Sequence, residues 1–138
     1  MRYGLLADVV VAIHALYVGF VVFGLAAILI GYARRWRWVR NLYFRILHLA
    51  AIAFVCAESI IGMDCPLTTL ENALRLGAGQ NGYGNDFISY WLDRLIFYDF
   101  PPPVFTIVYL AFGIVVLSTL WLVPIQMAKP HMSSPTDR

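Results

Sequence analysis

Between Leu5 and Tyr32 the chain is apolar for longer than a hydrocarbon core is thick, and the only ionisable interruptions before Tyr17 are Asp8 and His14. Two further runs, Leu42 to Met63 and Val104 to Ile125, have the same character. About 20 apolar residues in helix cross a core of about 30 Å, so the pattern predicts three transmembrane helices. The stretch 64–103 changes period. Thr68-x-x-Glu71 reads as a capping box opening a helix from about Thr69 to Leu76, which stops at Gly77. "GAGQNGYGN" is a turn-rich break. Asp86 then caps a second helix, with Phe87, Ile88, Trp91, Leu92, Leu95 and Ile96 on one face and Ser89 and Asp93 opposite. The predicted architecture is an all-α integral membrane protein: three transmembrane helices with short amphipathic external helices between spans two and three. Residues 1–126 form one membrane domain with an external helical lid, and 127–138 form a flexible cytoplasmic tail.

Within the spans, side-chain size and polarity predict packing faces. At about 100° per residue, Asp8, Ala12, Ala15, Gly19 and Ala26 share a narrow stripe of the first helix, a small-residue seam of the kind that lets helices approach closely. On the second, Arg45, His48, Ile52, Val55, Ser59 and Gly62 define the expected interior face. "PPP" at 101–103 suits the entry to the third.

Composition supports lipid as a solvent. The 138 residues are 61% hydrophobic and 13% charged, against about 25% charged in soluble domains. The net charge of +2 changes the picture through its distribution, because Arg34, Arg35, Arg37 and Arg40 crowd one turn. By the positive-inside rule that turn is cytoplasmic, which predicts the N-terminus outside, the net-acidic segment 64–103 outside and the C-terminus inside. The arginines thus indicate topology and not nucleic-acid binding. Trp36 and Trp38 on one side, and Tyr90, Trp91, Phe97 and Tyr98 on the other, fit interfacial aromatic belts. The first apolar run exceeds the roughly 7–15 residues of a signal-peptide core, so it is expected to remain as a span.

Ionisable groups inside a membrane cost roughly 2.5–3.5 kcal/mol each on insertion scales, which singles out Asp8, His14, Arg45, His48 and Glu58. Counting depth at 1.5 Å per residue pairs Asp8 with Glu58 near the outer edge and His14 with His48 near mid-membrane. The carboxylates then either sit in the wet interface or share a proton or cation. The histidines are either hydrogen-bonded interior side chains or axial ligands of a b-type haem. Cys56 and Cys65 show no metal-site spacing and read as free thiols, unless their geometry permits a bridge. No nucleophile elbow, phosphate loop, zinc spacing or dinucleotide fingerprint is present, and three spans without an internal repeat are few for a transport path.

"LLADVVVAIHALYV", "RILHLAAI", Glu58, "CPLTTLENALR" and "YGNDFISYWLDRLIF" together resemble the bacterial membrane family labelled domain of unknown function 2784. The likeness spans roughly Leu5 to Leu120 and implies a bacterial inner (plasma) membrane protein, without naming an activity. The positions matching its motif are Asp8, His14, His48, Glu58, Cys65, Pro66, Thr68, Glu71, Arg75, Tyr83 and Phe87. Two function classes follow. One is a non-catalytic accessory or assembly subunit, held in the lipid bilayer and joined to a larger membrane complex or homo-oligomer. The other is a small redox, proton-handling or lipid-modifying protein using the His14, His48, Asp8 and Glu58 cluster.

Overall fold

The computed structural model describes residues 2–82, 84, 87–96 and 100–125. Tyr83, the expected cap Asp86, the belt residues Phe97 and Tyr98, and the tail at 127–138 lie outside the described residues. Among the described residues all regular structure is helical: α1 Arg2–Ala33, a short 3-10 turn Trp38–Arg40, α2 Leu42–Ile61, α3 Pro66–Gly77, α4 Phe87–Ile96 and α5 Pro102–Leu122. α1, α2 and α5 are each long and apolar enough to cross a membrane.

The helix ends follow from local chemistry. α1 closes with the Trp36 amide donating to the Gly31 carbonyl at 2.8 Å, which puts Arg35 at φ 58°, a left-handed position more often held by glycine. Asn41 caps α2, its side chain accepting from the Tyr43 amide at 2.8 Å. α2 ends at Gly62, which adopts φ 73° without the Cβ penalty. α5 opens on Pro102, where the missing N–H has no intrahelical partner to lose.

α3 corrects the expected capping box. The helix begins at Pro66, with Cys65 as its N-cap, because proline fits the first helical position. Thr68 therefore lies inside the first turn, buried, and Glu71 turns inward to accept from Arg75 Nε at 2.7 Å.

The packed face of α1 also differs from the small-residue seam. Ala12 and Ala15 are exposed. The buried positions are Ala7, Val10, His14, Val21, Gly24, Leu25, Ile28 and Gly31, with half-buried Tyr17 filling the gap. Apart from Leu25, which widens the face, they alternate in spacings of three and four, the heptad pattern of helices that keep one face on their neighbours. α2 packs as expected through Arg45, His48 and Ile52, with Val55 and Ser59 half-buried and Gly62 exposed beyond the helix end.

α3 runs antiparallel to α1: Gly77 lies beside Tyr3, Arg75 reaches Asp8, and Cys65 lies near Tyr17. α4 follows, and α5 packs chiefly on α2. Two close approaches position the helices. A Cβ at Gly113 would lie 2.9 Å from Cys56 Sγ, and one at Gly24 would collide with the His48 ring.

Gly24→Ala is therefore expected to displace His48 and destabilise the bundle by about 1–3 kcal/mol, the usual cost of overpacking. Gly19→Ala, whose Cβ would meet Phe23 at an ordinary 3.7 Å, is expected to leave stability nearly unchanged. Thermal unfolding of both variants in detergent checks the difference.

Candidate functional site

Two hydrogen bonds set the register of α1 on α2. The Tyr17 hydroxyl donates to the Ala51 carbonyl at 2.7 Å, and His48 Nε2 lies 2.8 Å from the Val21 carbonyl. A carbonyl only accepts, so that nitrogen carries the proton. This register puts His14 beside Glu58 and His48 beside Gly24. The level pairs expected from depth counting are thereby corrected: His48 packs ten residues further along α1 than His14, about 15 Å at 1.5 Å per residue. His48 is buried between Phe20 and Phe44, ring centroids 5.6 and 6.1 Å away. With the histidines that far apart and one ring nitrogen already bonded to the backbone, the pair does not fit a single haem.

His14, Glu58, Cys65, Thr68 and Phe87 instead converge. They line a cavity of about 50 Å3 with Tyr17, Val18, Val55, Ser59, Met63, Ile88 and Tyr109. Each arrives from a different local device. His14 is on the heptad face of α1. Glu58 is on the last turn of α2, where its backbone carbonyl accepts from the amides of Gly62 and Met63. The reversal 62–65 returns Cys65 to the side of Glu58, and Pro66 starts the helix that turns Thr68 inward. Phe87 opens α4 and stacks on the His14 ring, centroids 4.1 Å apart and planes 25° from parallel.

The remaining candidates connect this cavity to the surface. Glu71, only 1% exposed, is close enough to act electrostatically on His14. Its carboxylate accepts from Arg75, whose NH2 lies 3.6 Å from the exposed Asp8. Asp8 thus meets Arg75 and not Glu58. Pro66 lies exposed at the start of α3. Tyr17, Ser59 and Tyr109 also belong to the site. Tyr17 was readable only from the heptad spacing and Ser59 from the interior face of α2, whereas Tyr109 is brought in by the α2–α5 contact, where Ser59 donates to Thr106 Oγ1 at 3.0 Å. Among the described residues no group of three or more His, Cys, Asp or Glu is placed to hold a metal ion.

Two polar atoms facing this region have no hydrogen-bond partner: His14 Nδ1 and Thr68 Oγ1, both fully buried. Cys56 and Cys65 are free thiols. Burial pushes the Cys65 thiol above its ordinary range; the amides of Leu67 and Thr68 at the start of α3 pull it back, and the Glu58 carboxylate, which accepts from the thiol, adds to the rise.

With this geometry in place, the comparisons bear on the chain as a whole. Residues 4–125 match the family described as Protein of Unknown function (DUF2784), and the chain belongs to that family. No curated protein and no solved structure matches it.

Cys65 is expected to alkylate slowly at neutral pH in a Cys56→Ala background. Glu58→Gln removes a negative charge beside the sulfur, so the thiolate becomes easier to form and alkylation at fixed pH should accelerate severalfold. Rates followed by mass spectrometry across pH check the direction; an unchanged or slower rate would contradict the contact.

Proposed function

We propose that this chain is a small inner-membrane protein that handles protons at the cavity between α1, α2 and the starts of α3 and α4, with His14 and Glu58 as the exchanging groups. The observation that carries this reading is the pair of unpartnered atoms, His14 Nδ1 and Thr68 Oγ1, buried around a cavity also lined by a carboxyl and a thiol. A dry unpaired polar group costs about 1–3 kcal/mol. A water needs about 10–15 Å3 and several polar partners, and a space of about 50 Å3 meets both requirements. Water there would bridge imidazole and carboxyl. The two groups supply complementary chemistry, since a neutral imidazole accepts a proton and a protonated carboxyl donates one.

The line Glu71, Arg75, Asp8 extends from His14 to an exposed carboxylate on one side of the bundle; arginine keeps its proton, so this line sets the field at His14 and does not itself carry the proton. By the positive-inside rule that side faces outward, with the arginine turn in the cytoplasm.

A second reading, an accessory subunit in a larger membrane complex, is favoured by α4. Trp91, Leu95 and Ile96 are 45, 78 and 53% exposed on that helix, an apolar face that lipid or a partner can cover.

Infrared difference spectra between acid and alkaline pH test the first reading. The native protein should show a protonated-carboxyl band that disappears in Glu58→Gln, and its titration midpoint should move in His14→Gln. A band insensitive to both substitutions would overturn the proposal. Co-purification in mild detergent separates the second reading: a stoichiometric partner lost on Trp91→Ala and Leu95→Ala supports it, and an isolated monomer counts against it.

A further inference from the structure

Among the described residues, the end of the bundle opposite the cavity carries positive charge alone. Arg34, Arg35, Arg37 and Arg40 occupy the turn between α1 and α2, and Arg45 follows on the first turns of α2, whereas the carboxylates among the described residues, Asp8, Glu58, Asp64, Glu71 and Asp93, belong to the α3 end and its flanking helices. Arg45 is buried, and none of its three guanidinium nitrogens has an acceptor. Arginine stays charged at any ordinary pH, so the field at this end has no internal counter-charge among the described residues.

An open groove of about 790 Å3 lies within that field, lined by Tyr32 and Ala33 at the end of α1 and by Arg35, Arg37 and Arg40 of the turn. We propose that this groove seats the phosphate headgroup of an anionic phospholipid.

Three observations favour that occupant. Guanidinium groups pair with phosphate oxygens through parallel N–H donors, and three arginines line one concave surface. Beside it Trp36 and Trp38 stack with ring centroids 5.9 Å apart and are exposed, as interfacial tryptophans are at headgroup level. One turn deeper along α1, Leu29 and Ile30 are exposed and apolar, a surface for acyl chains that a soluble anion would leave uncovered. The headgroup neutralises the arginines while its chains cover the helix, so charge and apolar surface are satisfied by one molecule.

The test uses the full chain, purified and reconstituted in phosphatidylcholine nanodiscs, where both membrane faces are accessible and any change of insertion topology has no effect. Phosphatidylglycerol is titrated in, and lipid retained by the protein is read by native mass spectrometry together with the melting temperature. The native chain should retain phosphatidylglycerol over phosphatidylcholine and melt higher with it. The R35Q/R37Q/R40Q variant should lose that preference by roughly tenfold or more, from the lost attraction of three arginines. R34Q, outside the groove lining, should lose much less. If the triple variant does not fold, the single variants R37Q and R40Q must each weaken retention more than R34Q does.

Inorganic phosphate, added at millimolar concentration, should neither raise the melting temperature nor displace the lipid. Equal retention of the two lipids by the native chain would overturn the proposal. So would unchanged preference in the groove variants, or displacement of the lipid by inorganic phosphate, which would assign the groove to a soluble anion.

Discussion

α1 is longer than the hydrocarbon core it is suited to cross, and the α3 end of the molecule is built around that excess. Its 32 residues extend about 48 Å at 1.5 Å per residue, against a core of about 30 Å. α2 has 20 residues. The N-terminal part of α1 carries Ala7 and Val10 on its packing face, and apolar surface at a water boundary requires cover. α3 supplies it by running back along α1, and the Arg75 bridge to Asp8 and Glu71 fastens the last turns of α3 to the N-terminal part of α1. The antiparallel return also carries the start of α3 down to the level of Tyr17, which is why a cavity forms beneath it.

Charge separates along the same axis. The carboxylates sit with α3 and α4 and with the helix ends that meet them, while arginines fill the opposite turn. Arg45 is the exception in depth but not in sign, since it extends the positive end into the interior without an acceptor. Arg45 lies in the first turn of α2, at the positive end of that helix's own dipole, so the dipole nearest to it does not compensate its charge, and the exposed arginines are left to act on what lies outside the bundle.

Much of this was legible in sequence, for identifiable reasons. Spans are long apolar runs, so their existence followed from length alone, and the interior face of α2 followed from Arg45, His48 and Ile52. The seam on α1 did not, because small residues at Ala12 and Ala15 are compatible with a helix surface facing lipid, while the true face is marked by a spacing rather than by residue size. Depth counting failed for the two histidines because it measures position along each helix separately and carries no information on the register between them. The capping box failed because Pro66 competes for the start of α3, and proline at the first helical position outweighs a threonine two residues later. Convergence of His14 with Glu58 needed the inter-helix register, which the Tyr17 and His48 contacts determine and no single helix contains.

The reversal between α2 and α3 shows how little chain is needed to assemble the site. Gly62 takes the left-handed conformation, so the amides of Gly62 and Met63 both return to the Glu58 carbonyl. That same residue directs its carboxyl into the cavity. Three residues later Cys65 ends the turn as the cap of α3, with its thiol against Glu58. The backbone of Glu58 therefore closes one helix while its side chain meets the cap of the next. A substitution with φ less tolerant than glycine at position 62 would disturb the helix end and the cavity together, because the turn and the carboxyl are parts of one local structure. Proton chemistry at Glu58 would then be felt at the start of α3, the helix that Arg75 fastens to α1.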